Sequence, residues 1–132
     1  MILVDTSAWV EYDRASGSDV DLRLTEHIRG GGDDIAVTEP VLMEVLAGAR
    51  DQTGTAQLRR LLTSFGWLPV DAVADFEGAA KVYRSCRDAG ITPRGLIDCT
   101  IASIAIRTGS ELLTADRDFT AMAGVVPLRL AG

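Results

Sequence analysis

Apolar residues fall along this chain in two alternating rhythms. Short continuous runs, MILV (1–4), IAVT (35–38), WLPV (67–70), ELLT (111–114) and VVPLRL (125–130), have the length of buried strands. Pro127 cannot donate a ladder bond, which predicts an edge position for the last of them. Longer stretches of helical spacing lie between the runs. Asp5, Thr6 or Ser7 can cap a first helix through about Asp13. Val20, Leu22, Leu24 and Ile28 predict a second, ended by Gly30–Gly32. Thr38 is placed to cap a third, with Pro40 tolerated in its first turn, running to about Gly48. Leu58, Leu61, Leu62 and Phe65 predict a helix over 55–65, and two more are expected over about 73–89 and 95–108. Strands alternating with helices call for an α/β fold with a parallel sheet covered on both faces.

Bulk properties narrow the class without naming a function. The 132 residues suffice for one compact domain spanning 1–132, with no internal repeat or linker. At 47% hydrophobic and 24% charged the composition is that of a soluble globular protein, and no apolar run reaches membrane-spanning length. MILVDTSAWV lacks a basic n-region and cleavage site, so the expected location is cytoplasmic. Cys86 and Cys99 have no metal or redox spacing and are expected as buried, reduced residues. The net charge of −6 argues against holding nucleic acid through a broad basic field.

Against this background four acids are misplaced. Asp5, Glu44, Asp98 and Asp116 sit in or close the apolar runs MILVD, PVLMEVLAG, LIDCTIASIAI and ELLTAD. An ionised carboxylate in such surroundings must be paired, neutralised or bound to a cation. Singly, each has a plainer account: Asp5 as a helix cap, Asp116 in a turn, Asp98 in a buried ion pair with Arg94 or Arg107. Glu44 and Asp98 resist such accounts best, because nearly every neighbour on their helices is apolar. Asp5 and Asp116 follow predicted strands, and Glu44 and Asp98 fall within the first two turns of helices that begin near the same sheet edge. All four are therefore expected at the carboxyl edge of the sheet, where ligands bind in such folds. Clustered acids without bases repel one another, and a hard divalent cation such as Mg²⁺ removes that conflict. An acidic, metal-holding site suits phosphodiester hydrolysis by water, with Arg14, Arg94, Arg107 and Arg117 as candidates for flanking phosphates.

The segments MILVDTSAWVEY, EPVLMEVLAGA, GLIDCTIASIAI and ELLTADRDF, in this order, resemble the four acidic motifs of PIN-domain proteins. They are especially similar to those of VapC toxins from toxin–antitoxin pairs, over essentially the whole chain. The resemblance implies a PIN-like three-layer sandwich and a Mg²⁺- or Mn²⁺-dependent endoribonuclease acting on tRNA or rRNA. It also implies a homodimer and a VapB-type antitoxin that occludes the site, in a heterotetramer or larger complex. By position, Asp5, Glu44, Asp98 and Asp116 become the catalytic, metal-binding acids, with Asp118 a secondary ligand. Thr6, Ser7 and Thr114 become auxiliary hydroxyls. Trp9 and Tyr12, one turn apart, are candidates for antitoxin or RNA contact and equally for the core.

Competing classes fare less well. The first strand is followed by DTSAWV rather than a Gly-rich fingerprint, there is no P-loop, and His27, the single histidine, lacks a nucleophile elbow. A phospho-acceptor receiver domain would gather acids similarly but needs a lysine at a late strand end, whereas Lys81 falls within a predicted helix. A PIN-like module that binds RNA or protein without catalysis is the remaining alternative.

Overall fold

The computed structural model describes residues 1–132 and contains one five-stranded, wholly parallel sheet. Its strands are β1 (Ile2–Val4), β2 (Ile35–Val37), β3 (Gly66–Trp67), β4 (Glu111–Leu113) and β5 (Arg129–Leu130), in the order β3-β2-β1-β4-β5. Helices α1 (Thr6–Asp13) and α2 (Asp19–Arg29) join β1 to β2, and α3 (Glu39–Ala47) and α4 (Gln52–Thr63) join β2 to β3. Helices α5 (Ala72–Asp88) and α6 (Leu96–Thr108) carry the chain back to β4, and α7 (Arg117–Ala123) leads to β5. The winding direction reverses between β1 and β4. Right-handed crossovers then put the first four helices on one face of the sheet and the last three on the other. Within the layers α1 lies against α2 and α3, α3 against α4, and α5 along α6, and α3 also meets α6 of the other layer. This is the three-layer α/β arrangement expected from the sequence.

Leu3 and Val4 of the central strand, Ile35 and Val37 of β2, and Leu112 of β4 are fully buried. Helix α6 is buried from Cys99 through Ala105, which is why its sequence offers no polar face. Gly78 lets α5 and α6 approach, since a Cβ there would collide with Ser103 Oγ. The same interface holds a forked ion pair. Arg107 Nε donates to Asp75 Oδ1 at 2.9 Å and Arg107 Nη2 to Oδ2 at 2.8 Å, with Asp75 fully buried. Burial alone would raise the Asp75 carboxyl, but the Arg107 hydrogen bonds and charge hold it below its ordinary value. Cys86 and Cys99 are buried and unbridged.

Several boundaries differ from the sequence expectation for identifiable reasons. The strand expected over 67–70 ends early. Leu68 N still reaches Val37 O at 2.9 Å, Pro69 has no donor, and Val70 N turns to Glu39 Oε1 at 2.7 Å. The run over 125–130 pairs with β4 only at Arg129–Leu130, because Val125 N and Val126 N bond Met122 O instead and close α7. Helix α4 begins at Gln52 because Asp51 caps it through Gly54 N, at 2.7 Å. Thr38 occupies the cap position of α3 without a capping bond; Pro40, two residues on, lacks the N–H such a cap uses. Helix α7 itself was not expected. TADRDF reads as a turn, yet Asp116 caps a helix whose Phe119 and Met122 are buried. No helix is long and apolar enough to cross a membrane.

Candidate active site

The site forms where the sheet reverses its winding, at the carboxyl ends of β1 and β4. Val4 pairs with Leu113, so Asp5 and Thr114 leave the sheet side by side, and Asp5 N donates to Leu113 O at 2.9 Å. Asp5 is only 3% exposed and caps α1. Its Oδ2 accepts Ser7 Oγ at 2.7 Å and Thr114 Oγ1 at 3.0 Å, with Ser7 N at 3.3 Å. Ser7 Oγ and Thr114 Oγ1 also lie 3.1 Å apart, so the two hydroxyls and Oδ2 form one hydrogen-bonded triangle. Each hydroxyl in turn accepts a backbone N–H, Ser7 from Ala115 at 2.9 Å and Thr114 from Asp116 at 3.0 Å. Oδ2 is thereby the engaged oxygen, and Oδ1 makes no hydrogen bond. Burial raises the Asp5 carboxyl above its ordinary value, and the hydrogen bonds from Ser7 and Thr114 offset this only in part.

Asp5, Thr6, Ser7, Glu44, Asp98 and Asp116 line one open pocket of about 450 Å³, together with Arg94, Gly95 and Ile97. Thr6 Oγ1 donates to Glu44 Oε1 at 2.7 Å, tying α1 to α3 and fixing one oxygen of that carboxylate. Asp98 enters from the first turn of α6. Its carboxyl is pushed up to about 6, first by burial and then by the charges of Asp5, Asp116, Glu44 and Asp118. The ion pairs considered for Asp98 are absent. Arg107 is committed to Asp75, and Arg94 Nε lies 3.1 Å from Asp118 Oδ2. Arg107 is therefore a structural residue and leaves the set of phosphate candidates.

Asp98, Asp116 and Asp118 each bring a carboxylate oxygen within 4.8 Å of the other two. Asp5 and Glu44 stand outside this trio. Asp118, expected only as a secondary ligand, thus belongs to the tightest group of acids; its two-residue separation from Asp116 at the start of α7 was the available signal. The Asp118 Oδ2 atom is buried, and Arg94 Nε at 3.1 Å meets it as an ion pair without hydrogen-bond geometry. All donors are oxygens, so the group fits a hard cation such as Mg²⁺ or Mn²⁺ better than a thiolate- or imidazole-seeking metal.

The remaining candidates separate. Trp9 is 2% exposed, packed edge-on to Tyr12 and tilted against Phe65 with centroids 5.6 Å apart, which leaves it no face for stacking a base. Tyr12 is half-buried, and Arg14 and Arg117 are exposed. Lys81 is exposed within α5, as a receiver-type role would not allow. A second cleft of about 660 Å³ adjoins the acid pocket through Glu44, which lines both. Its walls include Trp9, Val45, Leu58 and Leu61 from α1, α3 and α4, with Arg14 just past the end of α1. Nothing in the linear sequence marks this cleft, because its walls come from three separate helices.

Comparison with known proteins accords with this geometry. The family model described as PIN domain matches residues 2–125. The chain is 43% identical over 131 residues to Ribonuclease VapC11 of Mycobacterium tuberculosis, covering 99% of this chain and 98% of that protein. It is 32% identical over 119 residues to Ribonuclease VapC32 of the same species, covering 89% and 86%. Among solved structures, VapBC2 from Rickettsia felis, bound to a DNA fragment from its promoter, superposes with a TM-score of 0.77. It is 20% identical, covering 99% of this chain and 98% of that one. Mycobacterium tuberculosis VapC20, a sarcin–ricin loop cleaving toxin, gives 0.71 at 21% identity, covering 98% of this chain and 99% of that one.

Proposed function

The chain belongs to the PIN-domain family, and from that premise we propose that it is the ribonuclease toxin of a VapBC-type toxin–antitoxin pair. The observation that carries this is the convergence of Asp5, Glu44, Asp98, Asp116 and Asp118 at one sheet edge, in a chain similar to VapC11 along nearly its whole length. Asp98, Asp116 and Asp118 would hold Mg²⁺ or Mn²⁺, with Asp5 Oδ1 completing the oxygen set. When bound, such an ion offsets the clustered carboxylates and stabilises negative charge building on a phosphate. Glu44, anchored by Thr6, accepts a proton from the water that attacks phosphorus in line, while the opposite P–O bond breaks and the departing ribose oxygen takes a proton from solvent. Attack by water leaves no covalent protein intermediate, and Ser7 Oγ, held between Asp5 Oδ2 and Ala115 N, acts as a positioning hydroxyl. Arg94, Arg117 and Arg14 take neighbouring phosphates, which reconciles a net charge of −6 with a polyanionic substrate.

The solved relatives include toxins in complex with antitoxins, and a VapB-type antitoxin is the expected partner here. The cleft shared through Glu44 offers it an apolar wall next to the acids. The protein acts in the cytoplasm as a homodimer, on an exposed loop of tRNA or rRNA recognised by shape and a short single-stranded sequence. The test is brief expression without the antitoxin, followed by sequencing of RNA 5′ ends. Growth arrest with new ends concentrated at one tRNA or rRNA loop is expected. Harmless expression of active nuclease would remove the toxin role, and arrest without new RNA ends would remove the ribonuclease.

A further inference from the structure

Arg94 lines the acid pocket beside Gly95 and Asp98, one residue before the cap of α6. Its Nε sits 3.1 Å from Asp118 Oδ2, while the side chain remains 79% exposed. It is the only basic group within ion-pair distance of any of the five acids. Asp118 is also one of the three acids whose oxygens converge for a cation. A divalent ion and the Arg94 guanidinium therefore draw on the same carboxylate.

We propose that Arg94 exchanges between Asp118 and the RNA phosphate: it neutralises Asp118 in the metal-free protein and is released to grip the substrate when a divalent cation takes over that charge. The inference rests on the metal-dependent ribonuclease proposed above. Three properties suit Arg94 to this exchange. With the arginine 79% exposed and no hydrogen bond made, the ion pair is weak, worth roughly two- to fivefold in an equilibrium, so a cation can displace it. The guanidinium stays charged at every relevant pH, and once displaced it must find another anion or water. Its forked donors match the oxygens of a phosphate. Because Arg94 lines the pocket itself, a short swing of an exposed side chain suffices. Coupling is reciprocal, so metal tightens RNA binding by the factor with which RNA tightens metal binding.

The test begins with calorimetric Mn²⁺ titration of the full chain without RNA. Arg94→Gln should bind Mn²⁺ about two- to fivefold more tightly than wild type, the worth of the exposed pair. Arg117→Gln removes the same charge next to Asp118 without breaking an ion pair, and should change the affinity less. In cleavage assays Arg94→Gln should raise KM for RNA with kcat little altered, and Arg94→Lys should recover part of both effects. Equal Mn²⁺ affinity for wild type and Arg94→Gln would overturn the proposal. So would equal tightening by Arg117→Gln, or an unchanged KM. Tighter Mn²⁺ binding in a protein that cleaves no RNA would instead remove the ribonuclease and the phosphate half of the exchange, leaving the competition for Asp118 standing.

Discussion

Replacing Asp98 with Asn should make the metal-free protein more stable while abolishing its activity. The Asp98 carboxyl lies at about 6 against an ordinary value of 3.8, raised by burial and by four neighbouring acids. A displacement of roughly two units corresponds to about 3 kcal/mol of disfavoured charge. Asp98 is only half-buried, and solvent screening reduces this to about 1–2 kcal/mol. The sign follows from proton binding. Between about pH 4 and 6 the folded protein keeps a proton on Asp98 that the unfolded chain has lost, so stability falls as pH rises through that window. Above it the whole penalty is present. Thermal denaturation in EDTA from pH 4.5 to 7.5 should therefore show Asp98→Asn gaining on wild type as pH rises, reaching roughly 4–8 °C at pH 7.5 for a domain of this size. Saturating Mn²⁺ should raise the wild-type midpoint and narrow or reverse the gap. A variant equal to or less stable than wild type at pH 7.5 without metal would refute the reasoning.

Other consequences concern the scaffold and the positioning of Glu44. Arg107→Met leaves Asp75 buried without its partner and should cost about 3–5 kcal/mol in urea denaturation at pH 7. Asp75 is held below its ordinary value, so the pair's contribution is present above about pH 4 and lost as pH falls through the folded value, and the gap between wild type and variant should close in acid. An Asp75→Asn/Arg107→Met double variant should recover most of the loss at pH 7; no recovery would contradict the pairing. Thr6→Val removes the hydrogen bond to Glu44 Oε1 and should lower kcat on the order of tenfold, with the midpoint shifted by little. Thr6→Ser should restore most of that rate, and full activity in Thr6→Val would count against Glu44 as the proton acceptor.

Much of the fold was legible because its signals are local. MILV ending at Asp5 and ELLT leading to Asp116 identify two strand ends, and strand–helix alternation requires them to be parallel. Glu44 and Asp98 were conspicuous because acids are costly among Val41, Val45, Ile101 and Ile104. The carboxyl-edge location followed from element order alone. What escaped depends on distance. That Thr6 serves Glu44 while Ser7 and Thr114 share Asp5 is decided by the register of β1 with β4 and the packing of α1 on α3. The approach of Asp118 to Asp98 and Asp116 depends on α7, a seven-residue helix too short for periodicity to reveal. Arg107 reads as a partner for Asp98 or a phosphate, and its pairing with Asp75, 32 residues away, is decided only by the packing of α5 on α6.

Asp5 gives the most direct test of whether these acids hold a divalent cation for RNA hydrolysis, because Ser7 and Thr114 engage its Oδ2 and its Oδ1 makes no hydrogen bond. Purified wild type and Asp5→Asn should be compared on a structured RNA with Mg²⁺, Mn²⁺ or EDTA. The account predicts cleavage by wild type with either metal, none in EDTA, and none by the folded Asp5→Asn protein. Undiminished cleavage by Asp5→Asn, or by wild type in EDTA, would contradict it.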